Sequence, residues 1–139
     1  MVFIALVGFL TNKNQGETEI SIGATQVKAR LADTEAKRKI GLSATQKLAD
    51  DEGMLFVFDK KDTTPSFWMK DMQMAIDIIW IKDNRISQIE KNIQPPKPNT
   101  KDDELKRYES DSPIDYVLEV KAGFCDKNNI KVGSTYEGY

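Results

Sequence analysis

A cluster of charged and aromatic residues lies between two apolar segments near the middle of the chain. Trp68, Lys70 and Asp71 lie close together, and Asp77 opens the second apolar segment. If residues 67–71 are extended, Trp68 and Lys70 point to the same face, because side chains alternate along a strand. A flat apolar ring beside a cation and carboxylates can bind a sugar or another small polar ligand.

Three further residues complete the candidate site. Trp80 offers a second aromatic face, while Arg38 and Glu119 offer opposite charges. A carboxylate at the edge of an apolar run is costly to bury unless it is paired, and an ion pair of Asp77 or Glu119 would relieve that cost. The cation in this ion pair would be Arg38 or Lys70. The ion pair would either fix the ends of the strands or form part of a ligand site. The candidate ligand-binding residues are Arg38, Trp68, Lys70, Asp71, Asp77, Trp80 and Glu119.

The composition excludes several kinds of chemistry. The 139-residue chain has no histidine, so the usual general base and the commonest zinc ligand are missing. Its single cysteine, Cys125, excludes an internal disulfide and a multi-thiolate metal site. With 20 basic and 22 acidic residues the net charge is -2, and nucleic acid is not an expected partner. We expect no metal and no cofactor, and we assign no catalytic residue.

The N-terminal segment differs from the rest of the chain. Val2–Leu10 is a run of nine apolar residues, followed by a polar spacer. The run is too short to span a bilayer, which takes about 20 residues, but it has the length of the apolar part of an export signal. We therefore expect residues 1–16 to be an export or membrane-anchor segment with its spacer, and residues 17–139 to form one extracytoplasmic domain. A first β-strand packed on the domain is the alternative.

The remaining chain is predicted as short strands, turns and two short helices. Two apolar runs, 54–58 and 78–81, are too short for buried helices and indicate strands covered on both faces. Together the elements predict a β-rich α+β domain, a single barrel-like or strongly curled mixed sheet with both helices in its N-terminal half. The predicted elements are a hairpin turning at Gly23, helices at 33–41 and 43–48, a strand at 53–58, a hairpin of 77–81 with 85–93, a Pro-rich loop at 95–113, a strand at 115–121, a segment at 122–129 that could hold a helical turn, and a closing segment at 132–136.

Several short motifs follow one another along the chain, and they are Arg38-x-x-Gly41-Leu42, Gly53–Phe58, Phe67–Asp71, Ile76-Asp77, Tyr116–Gly123 and Ile130-x-Val132-Gly133. Their order resembles the domain-of-unknown-function 192 family of bacteria and archaea. The resemblance covers about residues 25–138 and implies a compact β-rich fold, frequent export and no established activity. The chain departs from the family pattern at Met72 and Ala75, where many members have Thr and Pro, and it lacks the cysteines that often bracket the Pro-rich loop.

Three functional hypotheses are compatible with these residues. We prefer a module that binds a small polar ligand, such as a carbohydrate, because it needs no catalyst that the chain lacks. The second is an envelope glycan hydrolase or lyase that uses Asp71 and Asp77 as its two carboxylates. The third is a structural domain whose Pro-rich loop, residues 95–113, engages a protein partner.

Overall fold

Seven strands form one mixed sheet that curls into a nearly closed barrel. The computed structural model describes residues 16–139. The strand order is β5-β4-β6-β3-β2-β1-β7, and every neighbouring pair is antiparallel except β2 with β3. The strands are β1 Glu17–Ile22, β2 Thr25–Ala32, β3 Glu52–Val57, β4 Ile76–Lys82, β5 Arg85–Ile93, β6 Tyr116–Lys121 and β7 Tyr136–Glu137.

Backbone hydrogen bonds between the two ends of the sheet bring the barrel close to closure. Ile86 at the start of β5 donates its amide to Ser134 O at 2.9 Å and accepts from Gly133 N at 2.8 Å. Tyr136 then donates to Asn84 O at 2.8 Å as it enters β7. The segment predicted to close the sheet does so, and the prediction of a small barrel-like mixed sheet is confirmed.

Within residues 16–139 two short α-helices accompany the sheet, and one of them, not both, lies in the N-terminal half. The other lies in the segment 122–129, which was expected to hold a helical turn. α1 (Glu35–Ile40) begins where the Thr34 hydroxyl accepts from Lys37 N at 3.2 Å and ends at Gly41. α2 is Phe124–Lys127, after β6. The helical turn predicted at 43–48 is wrong: the Ser43 hydroxyl donates to Ile40 O at 2.7 Å instead of capping a new helix.

The central strands bury side chains on both faces, which explains their unbroken apolar runs. One face fills the barrel with residues from all seven strands, such as Leu55, Ile79 and Leu118. The other face carries Phe56, Trp80 and neighbouring side chains, which we call the outer cluster. Loop residues cover the outer cluster, because the segments that connect the strands cross this face of the sheet. The covering residues are Leu42, Leu48, Met69 and Ile114.

A glycine lets β3 approach the central strand β6 closely. A Cβ atom at Gly53 would lie 2.8 Å from the carbonyl oxygen of Glu119 and 3.1 Å from a methyl group of Val120. The backbones therefore fit together at this point only because residue 53 has no side chain.

The predicted export or anchor segment, Val2–Leu10, lies outside the described residues. The described chain begins at Gly16, whose carbonyl accepts from Leu31 N at 2.7 Å on β2. Among residues 16–139, no helix is long and apolar enough to cross a membrane.

Candidate functional site

A cleft of about 360 Å³ opens on the outer side of the sheet, beside the outer cluster. It lies where α1, the end of β3, the Phe67–Met72 segment and the Pro-rich segment meet over β6. Its volume is in the range of small-molecule sites. Aromatic and basic side chains form most of its wall, with one acid: Phe56, Phe58, Phe67, Trp68, Arg38, Lys39, Lys70, Arg107 and Glu119.

Glu119 is the buried acid of the cleft. It lies in the central strand β6, opposite Met54 of β3 and Ile78 of β4, and its side chain shares their outer face. The residue is 5% exposed, and no group within residues 16–139 forms a hydrogen bond with its carboxyl. Burial raises the pKa of Glu119 from its ordinary 4.5 to about 8, so the carboxyl is mostly protonated at neutral pH.

Two cations lie against the ring of Trp68 at the mouth of the cleft. The Arg107 guanidinium is 4.1 Å from the ring centroid, and the Lys70 ammonium is 5.2 Å from it. Lys70 also forms an ion pair with Asp102 at 2.7 Å, and this hydrogen bond raises the pKa of Lys70. Trp68 and Lys70 therefore share a surface, as the sequence predicts.

Arg38 forms part of the opposite wall and is held there by the end of β3. Its guanidinium donates to Val57 O at 2.7 Å and to Asp59 at 3.4 Å, and it lies 5.8 Å from the Phe58 ring centroid. Because Asp59 is largely exposed, this ion pair is solvent-screened and weak, and the bond to Val57 orients the side chain.

Asp77 lies outside the cleft. Its carboxylate accepts backbone hydrogen bonds from Asn92 N at 2.9 Å, Cys125 N at 3.0 Å and Gly123 N at 3.3 Å. The residue is 1% exposed and fixes the start of α2 to β4 and β5. These backbone amides are thus the hydrogen-bond partners of the buried Asp77 carboxylate, in place of the ion pair expected from the sequence.

The ion pair predicted for Glu119 does not form within the described chain either. The two cations considered for it have other carboxylate partners, because Arg38 contacts Asp59 and Lys70 contacts Asp102. Because burial raises the pKa of Glu119 to about 8, its carboxyl is mostly protonated at neutral pH and carries no charge that an ion pair would have to compensate.

Trp80 and Asp71 are also placed away from the cleft. Trp80 is fully buried in the outer cluster, so it offers no ring face to a ligand. The chain turns after Met69, with Met72 N donating to Met69 O at 3.1 Å and Asp71 at φ 57°. This turn replaces the extended segment expected at 67–71 and leaves Asp71 exposed.

Two carboxylates do not converge in the cleft. Among the side chains that line it within residues 16–139, Glu119 is the one acid, and no metal-ligating group of three or more side chains is found in that range. The pair proposed for glycan hydrolysis, Asp71 and Asp77, is not assembled there.

Sequence reasoning missed several residues of the cleft. Arg107 belongs to the Pro-rich segment, whose length indicates a function but not a contact with Trp68. Phe56 and Phe58 belong to the apolar run of β3, and Phe67 contacts Phe56 edge-on with ring centroids 5.0 Å apart. Aromatic residues in or near apolar runs predict burial, and the sequence does not indicate that these rings line a cleft.

The fold and the cleft together define a small, nearly closed β-barrel domain with a cleft that a buried acid lines. The chain belongs to the DUF192 family, described as an uncharacterised ACR, whose model matches residues 18–138. Among curated proteins, none matches the chain.

Two solved structures share the fold. A candidate transcription regulator from Sinorhizobium meliloti 1021 is 26% identical, with a TM-score of 0.77 over 88% of this chain and 93% of that one. A protein of unknown function from Novosphingobium aromaticivorans DSM 12444 is 25% identical, with a TM-score of 0.78 over 87% of this chain and 84% of the other.

Proposed function

We propose that the domain binds a small polar ligand in the cleft beside Trp68. The observation that carries the proposal is Glu119, a buried carboxyl that lines the cleft and has no hydrogen-bond partner in the described chain. Buried polar groups are normally hydrogen-bonded, so this carboxyl is a donor or acceptor that a ligand can satisfy. The aromatic wall would contribute apolar contact area to the same ligand.

Binding is better supported than hydrolysis of a glycan. A two-carboxylate mechanism needs its acids roughly 5 to 10 Å apart across the substrate. Glu119 is the acid that lines the described cleft, and Asp77 is bonded to backbone amides elsewhere. Binding of a small ligand requires no second carboxylate in the cleft.

We place this activity outside the cytoplasm, as a further part of the proposal. Its support is the apolar run Val2–Leu10, which has the character of an export or anchor segment. The description of the Sinorhizobium structure as a candidate regulator would suggest nucleic-acid contact instead. A net charge of -2 gives that alternative little support here.

The test uses the two tryptophans of the chain as probes in one NMR spectrum. The full-length protein is titrated with a library of small sugars, sugar acids and ring compounds, and the two indole N–H resonances are followed. We expect the Trp68 resonance to shift while that of the buried Trp80 stays in place. The Glu119→Gln variant should weaken binding, and Glu137→Gln, the same change at an exposed position of β7, should not.

Two results would contradict the proposal. One is a library that leaves the Trp68 resonance unmoved at millimolar concentration. The other is a set of ligands whose affinity is the same in Glu119→Gln and wild type, because the group on which the proposal rests would then play no part.

A further inference from the structure

Basic groups outnumber acids around the cleft. Arg38, Lys39, Lys70 and Arg107 line it, whereas Glu119 is its one acid within the described residues. We propose that the ligand is a small organic anion, a carboxylate or phosphate carried on a ring, and that Arg107 binds its charged group. This inference rests on the proposed function, since it names the class of ligand for the same cleft.

Arg107 is the residue best placed to bind the anion. Its guanidinium carbon lies over the Trp68 ring, 4.1 Å from the centroid, and this cation–π contact holds the group beside the cleft. Within residues 16–139, Arg107 forms neither an ion pair nor a side-chain hydrogen bond. A planar guanidinium with free N–H donors can bind a carboxylate or phosphate through two parallel hydrogen bonds.

The other cations leave a net positive charge at the cleft. Arg38 and Lys70 are each offset by an acid, Asp59 and Asp102 respectively. Both acids are well exposed, with side chains 85% and 60% accessible, so solvent screens these pairs. Lys39 has no acidic partner in the described chain. Together with Arg107 it gives two uncompensated positive charges, which would attract an anion.

Glu119 does not oppose an anion at neutral pH. It pairs with Met54 and Ile78 on the neighbouring strands, and the charged side chains that line the cleft with it are Arg38, Lys39, Lys70 and Arg107. Burial holds the carboxyl in its protonated form up to about pH 8, and in that form it can donate a hydrogen bond to a carbonyl or hydroxyl of the ring. Above that pH an ionised Glu119 would repel the bound anion, so affinity should fall between pH 7 and pH 9.

The experiment compares probes that differ in charge at constant shape. Glucuronate is paired with glucose and benzoate with benzamide, and each is titrated into the full-length protein at pH 7 while the Trp68 indole resonance is followed. We expect the charged member of at least one pair to bind about tenfold more tightly or better. Arg107→Gln should lose most of that preference, while Lys131→Gln, an exposed lysine outside the cleft, should keep it. Phenyl phosphate beside benzoate distinguishes a phosphate from a carboxylate ligand.

The outcomes separate this inference from the proposed function. If the probes shift the Trp68 resonance but the charged member binds no more tightly than the neutral one in either pair, the ligand class is wrong and binding in the cleft stands. If anions keep their preference in Arg107→Gln, the assignment of Arg107 is wrong. If no probe of either charge moves the Trp68 resonance, both the ligand class and the binding function are refuted.

Discussion

The replacement of Glu119 by Gln should change how the stability of the domain depends on pH. The carboxyl lies on the central strand β6, it is 5% exposed, and its pKa is raised from 4.5 to about 8 because burial disfavours the charged form. Glutamine has nearly the same shape and no charge. The variant therefore keeps the packing and removes the titration.

The direction and size of the effect follow from proton linkage. Between pH 4.5 and about 8 the folded protein holds the Glu119 proton and the unfolded chain has released it, so the free energy of unfolding falls as pH rises. Each pH unit in that interval is worth about 1.4 kcal/mol. From pH 5 to pH 9 the wild type should lose ~4 kcal/mol relative to Glu119→Gln, a large part of the 5 to 15 kcal/mol that typically stabilises a domain.

Urea unfolding of the full-length protein at pH 5, 6, 7, 8 and 9 measures this difference. The chain has no histidine to titrate in this interval. Release of the Cys125 proton from the unfolded chain near pH 9 is common to wild type and Glu119→Gln, so it cancels in their comparison. Glu137→Gln, an exposed control, should follow the wild-type curve. Parallel pH profiles for wild type and Glu119→Gln would refute the claim that Glu119 is protonated in the folded state.

The other substitutions concern the fold around the cleft. Asp77→Ala should cost about 3 kcal/mol or more in urea unfolding because three backbone amides lose their acceptor, whereas the exposed Asp71→Asn should cost under about 0.5 kcal/mol. Equal costs would contradict that difference. Gly53→Ala should lower stability by about 1 to 3 kcal/mol, since its methyl group would lie 2.8 Å from the Glu119 carbonyl oxygen, and an unchanged midpoint would show that β3 can shift.

Local patterns predicted the strands and hairpins well. The runs that became β3 and β4 are apolar because both of their faces are covered, and Gly23, with φ 56°, forms the turn between β1 and β2. The same approach failed at 43–48, where Leu42 and Leu48 are both buried in the outer cluster. Tertiary burial fixes this segment in a non-helical path, and the spacing of Ser43 and Gln46 carries no information about it.

The cleft was harder to predict because its walls come from distant parts of the chain. Trp68 and Lys70 are close in sequence, and their contact was predicted, although a turn rather than the expected extended segment brings the two side chains together. Arg107 reaches Trp68 because Phe67 and Tyr108 pair across a backbone bridge, with N–O distances of 2.9 Å in both directions. No local pattern gives this pairing, and the protein partner of residues 95–113, the third hypothesis from the sequence, stays a prediction.

Asp77 and Glu119, two of the three buried acids in the described chain, show why the type of residue did not decide its role. Asp77 and Glu119 lie on adjacent strands, and the register pairs Asp77 with Val120 and Ile78 with Glu119. Directly paired residues share a face, so the two carboxyls point to opposite sides of the sheet. Asp77 accepts from three backbone amides, whereas Glu119 lines the cleft and forms no hydrogen bond in the described chain. A shift of one residue would pair Asp77 with Glu119 and place both carboxyls on one face, so the register between β4 and β6 keeps one acid at the cleft and the other away from it.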